Sequence, residues 1–138
     1  MRVVLDSNVL LAAFGTRGLC EAVTAACLES HEVIVSEHIL EEVSRGLTEK
    51  FKVPPHQVKA NIAFLREHCR TVKPAHVPSQ ACRDAKDLAV LGTALAAQAH
   101  CLVSGDQDLF VLRQFKEIPI LSPRAFYDML KKDGRGRS

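Results

Sequence analysis

Four carboxylates in this chain stand where an apolar run ends or a helix begins: Asp6, Glu42, Asp87 and Asp106. Asp6 closes the run Val3-Val4-Leu5, and Glu42 lies in a helix that follows Val33-Ile34-Val35. Asp87 opens an apolar helix reaching about Ala99, and Asp106 follows Cys101-Leu102-Val103 within Ser-Gly-Asp-Gln-Asp-Leu. If those runs are neighbouring parallel strands, their carboxyl ends form one rim, where open α/β sheets place their sites. Hard divalent cations such as Mg²⁺ or Mn²⁺ require carboxylate oxygens gathered from several elements. The pattern therefore reads as an acidic metal pocket, and the chemistry it fits best is metal-assisted phosphodiester hydrolysis.

Each acid also has an ordinary structural use. Asp6 alone suits an N-cap for the following helix, while Asn8 has an amide able to orient a neighbouring carboxylate. Glu42 competes with Glu37 and Glu41. The helix stripe is Ile39, Leu40, Val43 and Leu47, which Glu42 borders while Glu41 points further away. Gly46 is expected to leave open space on that side, and Glu37 suits first-turn dipole compensation. Asp84 looks like an N-cap that places Asp87 at N3, a carboxylate version of a capping box. A charge at the mouth of so apolar a helix needs a partner, because leaving it unpaired is costly. Asp108 is expected in the first turn after Asp106, and Ser104 is placed to hydrogen-bond a carboxylate or a phosphate.

The elements that must position these groups alternate. Strands are expected at Val3–Leu5, Val33–Val35, Thr71–Lys73, Cys101–Val103 and Pro119–Leu121. Helices are expected near Asn8–Phe14, Leu19–Glu29, Glu37–Lys50, Pro55–Arg70, Ala85–Ala99 and Asp108–Gln114, with a last one from Pro123 to about Lys132. Strands alternating with helices argue for a parallel sheet covered on both faces, and continuous apolar strands agree. Residues 1–132 are read as one domain and 133–138, with Gly-Arg-Gly-Arg, as a basic flexible tail.

A chain of 138 residues supports one core, and 47% hydrophobic with 25% charged residues marks it as globular. The formal charge is only +2. With acids gathered in one pocket, the remaining surface is more basic than that total, as suits a polyanionic substrate. Five cysteines, an odd number without close pairs, read as small buried thiols in a reducing cytoplasm. No signal-peptide pattern and no run of about 20 apolar residues is present, so no membrane partner is expected.

Together these features resemble the PIN-domain family along nearly the whole chain, from Val-Val-Leu-Asp-Ser-Asn-Val-Leu to the last helix. Asp87–Leu95 resembles the family's helix that begins with an acid. Ala99–Leu109 is similar to its strand-turn motif, with Ser104 in place of the commoner Thr, and Ser36–Val43 resembles the helix that supplies its glutamate, here Glu42. The resemblance implies a three-layer α/β/α fold with a short central parallel sheet of about five strands. It also implies a ribonuclease dependent on Mg²⁺ or Mn²⁺, with one or two ions held by Asp6, Glu42, Asp87 and Asp106. Asn8, Ser104, Asp84 and Asp108 would stand behind those ligands. The chain is most similar to the prokaryotic VapC-like toxin branch, which implies an RNA substrate, a small antitoxin partner and a homodimer. Arg17, Arg45, Lys50 and Arg83 are proposed from proximity to hold the RNA. For the dimer, an apolar surface of Leu19, Val23, Cys27, Ile62 and Leu65 is expected. Two rivals differ in kind. A phosphohydrolase of the haloacid-dehalogenase type would want an acid where Asn8 stands, and a non-catalytic PIN scaffold would need no turnover.

Overall fold

Apolar runs of three or four residues, too short for helices, form the centre of the sheet. In the computed structural model, which describes residues 1–136, the elements run β1 (Arg2–Leu5), α1 (Ser7–Gly15), α2 (Leu19–Ser30), β2 (Glu32–Val35), α3 (Glu37–Glu49), α4 (Pro55–His68) and β3 (Arg70–Thr71). They continue as α5 (Ala85–Ala96), β4 (Cys101–Val103), α6 (Gln107–Phe110), β5 (Gln114–Phe115), β6 (Ile118–Leu121) and α7 (Pro123–Gly136). The sheet order is β3-β2-β1-β4-β6-β5, flanked by helices in a three-layer α/β/α arrangement. Val4 lies in register with Ile34 on one side and Leu102 on the other, all parallel. Val3, Val4, Leu5, Ile34, Leu102 and Val103 are completely buried or nearly so, as strands covered on both faces must be.

The sheet has six strands, where about five were expected. The extra one, β5, pairs antiparallel with β6 through Gln114–Pro119 and Phe115–Ile118. Its two-residue turn, Lys116-Glu117, has φ of 50° and 68°, the positive values that type I′ hairpin turns require and that Asn-Gly normally supplies. Helix α6 ends at Phe110 instead of Gln114, since Arg113 takes φ 60° and Gln114 already belongs to β5. Helix α5 stops at Ala96, short of Ala99, in a Schellman-type closure. Ala99 N donates to Ala94 O at 3.0 Å, Gln98 N to Leu95 O at 3.1 Å, and Gln98 takes φ 51°. Helix α4 ends two residues early, so that β3 begins at Arg70. Helix α7 continues to Gly136, four residues past its expected end, and the remainder of the expected tail, 137–138, lies outside the described residues.

Val23, Cys27 and Leu65, expected at an intermolecular surface, are fully buried in this chain's own core, whereas Leu19 and Ile62 are only partly covered. All five cysteines are free, and four are buried. Burial pushes the thiols of Cys27 and Cys101 up to about 12 and that of Cys69 to about 11, so they act as small hydrophobic groups at neutral pH. No single helix among the described residues is long and apolar enough to cross a membrane.

Candidate active site

The chain leaves β1 towards β2 and β3 on one side, then returns on the other side as β4 and β6. Strand order therefore reverses between β1 and β4, and a crevice opens beyond their carboxyl ends. Asp6 stands at that point. Its N–H donates to Val103 O at 2.9 Å, which continues the sheet pairing by one residue. Its side chain then caps α1, with Oδ1 accepting from Ser7 N at 2.8 Å. Oδ2 accepts from Ser104 Oγ at 2.8 Å. Capping and facing the crevice are thus two uses of one carboxylate.

A cleft of about 260 Å³ opens here, lined by Asp6, Glu42, Asp87, Asp106 and Asp84, together with Asn8, Arg45, Lys50, Lys86 and Glu49. The four carboxylates named from the sequence come from the end of β1, the middle of α3, the start of α5 and the turn after β4. Glu42 faces the cleft, while Glu41 is exposed elsewhere on α3. Glu37 pairs with Arg66 on α4, with Nη2 2.8 Å from Oε2. Gly46 does not open space as expected. A Cβ there would overlap the Leu11 side chain, so the glycine lets α1 and α3 close together and brings Asp6 near Glu42.

Helix α5 is set by two contacts. At Gly92 a Cβ would overlap the Ala75 carbonyl oxygen, and Ala75 N donates to Gly92 O at 2.9 Å. Thr93 Oγ1 lies 2.8 Å from Ser36 Oγ, the buried N-cap of α3. These fix the middle of α5 against the 74–75 segment and the start of α3, and with it the orientation of the helix's first turn. Asp84 caps that turn, accepting from Lys86 N at 3.0 Å. Asp106 caps α6 and accepts from Asp108 N at 2.8 Å, while its own N–H donates to Ser104 Oγ at 3.0 Å. Ser104 thereby ties Asp6 to Asp106. Ligand oxygens of Asp84, Asp87 and Asp108 all lie within 4.8 Å of one another, so Asp84 and Asp108 extend the acidic set.

Burial pushes the Asp87 carboxyl up to about 7, reinforced by the charge of Asp106 and by a side-chain hydrogen bond with it. Asp6 is also raised, first by burial, against the opposing bonds from Ser104 and Ser7. Carboxylates facing one another without enough positive charge hold protons in this way. The donor set is all oxygen and is crowded with like charge, which fits a hard divalent cation.

Several neighbours were not singled out from the sequence. Ser7 Oγ lies 3.2 Å from Glu42 Oε1, so a serine makes the carboxylate contact expected of Asn8. His38 Nε2 lies 3.1 Å from the same Glu42 oxygen, and its i,i+4 spacing was the available signal. Cys82 is buried with its Sγ 4.0 Å from Asp87 Oδ2 and 3.7 Å from Asp108 O. Lys86 lines the cleft beside Arg45 and Lys50, whereas Arg17 and Arg83, expected on its rim, are exposed but do not line it.

A family model described as PIN domain matches residues 2–108. Among solved structures, the chain is similar to one in VapBC2 from Rickettsia felis bound to a DNA fragment from its promoter. That match has 13% identity and a TM-score of 0.62, covering 88% of this chain and 98% of the other. It is also similar to the PIN domain endonuclease Utp24, with 16% identity and a TM-score of 0.51, covering 88% and 84%. No curated protein sequence matches it. With a strand order that opens a crevice at Asp6 and a family model spanning most of its length, the chain belongs to the PIN-domain family.

Proposed function

We propose that this protein is a Mg²⁺- or Mn²⁺-dependent endoribonuclease, with Asp6, Glu42, Asp87 and Asp106 as metal ligands and Asp84 and Asp108 beside them. The observation that carries this reading is the convergence of those four carboxylates from four separate elements on one cleft of about 260 Å³, with Asp87 protonated far above its ordinary range. A bound divalent ion, one or two per site, would supply Lewis-acid stabilisation of phosphoryl charge and a water made acidic enough to attack at neutral pH. The protein's own part is positional. Ser104 orients Asp6 and the Asp106 backbone, Ser7 holds Glu42 with the His38 ring beside it, and Arg45, Lys50 and Lys86 offer cations to the RNA phosphates at the cleft edge.

The likeness to a chain of the VapBC2 structure supports a toxin paired with a small antitoxin, acting in the cytoplasm. A homodimer is part of this reading, with Leu19 and Ile62 only partly covered by the chain itself; sedimentation at micromolar concentration is expected to give a dimer, and a single monomer-mass species would overturn it. For the activity, the purified protein is incubated with mixed single-stranded RNAs in Mg²⁺, in Mn²⁺ and in chelator. Cleavage is expected with either metal and none in chelator. Cleavage unchanged by chelator overturns the metal reading, and no cleavage of any RNA favours a non-catalytic scaffold.

A further inference from the structure

Ser7 carries a hydroxyl that its helix does not need. It is the first residue of α1, and that helix is already capped by the Asp6 side chain through Ser7 N at 2.8 Å. Yet Ser7 is buried, at 7% exposure, and its hydroxyl lies 3.2 Å from Glu42 Oε1 and 3.4 Å from Asp6 Oδ1. A hydroxyl has one hydrogen to give. Because the backbone N–H already serves Asp6 Oδ1 at the shorter distance, that hydrogen is free for Glu42. Glu42 sits on a helix with several rotatable bonds between its backbone and its charge, while Asp6 is anchored to the sheet. His38 Nε2 approaches the same Glu42 oxygen from the preceding turn.

We infer that Ser7 is a positioning residue: its hydroxyl holds the Glu42 carboxylate beside Asp6, so that both are presented to one divalent cation. The inference rests on the metal reading above. Partners that orient ligands in this way typically contribute ten- to a hundredfold to affinity in metal sites (an order-of-magnitude range of roughly 10–100), and a cleft open to solvent places Ser7 at the low end.

The test is a Mn²⁺ binding isotherm, read from the free-ion paramagnetic resonance signal, for the full chain and for Ser7→Ala, Ser7→Thr, Glu42→Ala and Ser7→Ala/Glu42→Ala. Ser7→Ala is expected to weaken Mn²⁺ binding by roughly tenfold, with Ser7→Thr restoring it. In the Glu42→Ala background the loss of the hydroxyl is expected to cost nothing further, which a merely structural role would not produce. Ser7→Cys, close in size and a poorer donor, repeats the measurement if the alanine variant does not fold. Full-strength binding by Ser7→Ala while Glu42→Ala is weakened overturns the inference and leaves the metal reading intact. Independent losses that multiply in the double variant also overturn it. Absence of bound Mn²⁺ in the unaltered chain removes both.

Discussion

The two halves of the acidic cleft are built on opposite principles. On the β1 and α3 side, hydrogen-bond donors are interposed: Asp6 accepts from Ser7 N and Ser104 Oγ, both at 2.8 Å, and Glu42 Oε1 accepts from Ser7 Oγ at 3.2 Å, with the His38 ring 3.1 Å from the same oxygen. On the α5 and α6 side, carboxylates face carboxylates. Asp84, Asp87 and Asp108 have oxygens within 4.8 Å of one another, and Asp87 is raised first by burial and then by the charge of Asp106 and a hydrogen bond with it. The first half is fixed before any ligand arrives. The second half stores repulsion that a proton or a cation must relieve. Preorganised ligands on one side and unmet charge on the other together suit a cation-binding site.

The largest expected effect comes from the repelling half. Asp87→Asn and Asp106→Asn should each lower metal-dependent RNA cleavage by roughly a hundredfold or more, since a metal ion supplies several kcal/mol of transition-state stabilisation. Melting without metal should show the opposite sign, because each amide removes a repelling charge. If Asp87→Asn melts well below the unaltered chain in chelator, repulsion does not dominate that half.

On the hydrogen-bonded half, Glu42→Gln keeps the acceptor for Ser7 but loses the charge. Cleavage should fall by roughly ten- to a hundredfold while metal-free melting holds or rises slightly. Glu41→Gln should change neither. Loss of cleavage in the Glu41 variant alone would mean that the wrong face of α3 has been assigned to the cleft.

A subtler difference lies in pH dependence. Asp87 titrates near 7 in the folded chain, against roughly 3.9 when unfolded. Between those values the folded form holds more protons than the unfolded one, so this group's stabilisation is lost as pH rises through that window. Asp6 shifts in the same direction. Metal-free melting should therefore decline from pH 5 to pH 8, and the decline should be shallower in Asp87→Asn, as read by calorimetry in chelator. An identical slope in both proteins would remove Asp87 as its source.

The smallest effect separates cations on the cleft from those beyond it. Arg45→Ala or Lys86→Ala should raise KM for RNA by a factor of roughly 2–5, with the salt dependence reduced, whereas Arg17→Ala and Arg83→Ala should leave it nearly unchanged. Equal effects from all four would mean that RNA extends across a wider track.

The sequence made the main chain of the fold legible because the strands are continuous apolar runs and the helices after Asp6, Ser36 and Asp84 carry caps of the expected chemistry. What escaped has physical reasons. The Lys116-Glu117 turn and the Gln98 closure adopt positive φ without Gly or Asn, so local composition gave no sign of them. Gly46 suggested empty space because a sequence shows a missing side chain but not the Leu11 that fills it. The acids were visible as strand-end and helix-start residues, and the phase of α3 separated Glu42 from Glu41. Ser7 and Cys82 were not visible, since their partners lie on elements whose spacing only tertiary packing sets. The apolar positions of α2 and α4 overstated the free surface, because an amphipathic stripe does not reveal whether the chain itself covers it.

Thermal melting at neutral pH with Mn²⁺ and with chelator tests most directly whether the repelling half is built to take a cation. For the unaltered chain, Mn²⁺ at a hundred times its dissociation constant should raise the midpoint by roughly 5–10 °C, and Asp87→Asn should erase most of that gain while melting higher than the unaltered chain in chelator. A midpoint unmoved by Mn²⁺, or a full shift retained in Asp87→Asn, would contradict it.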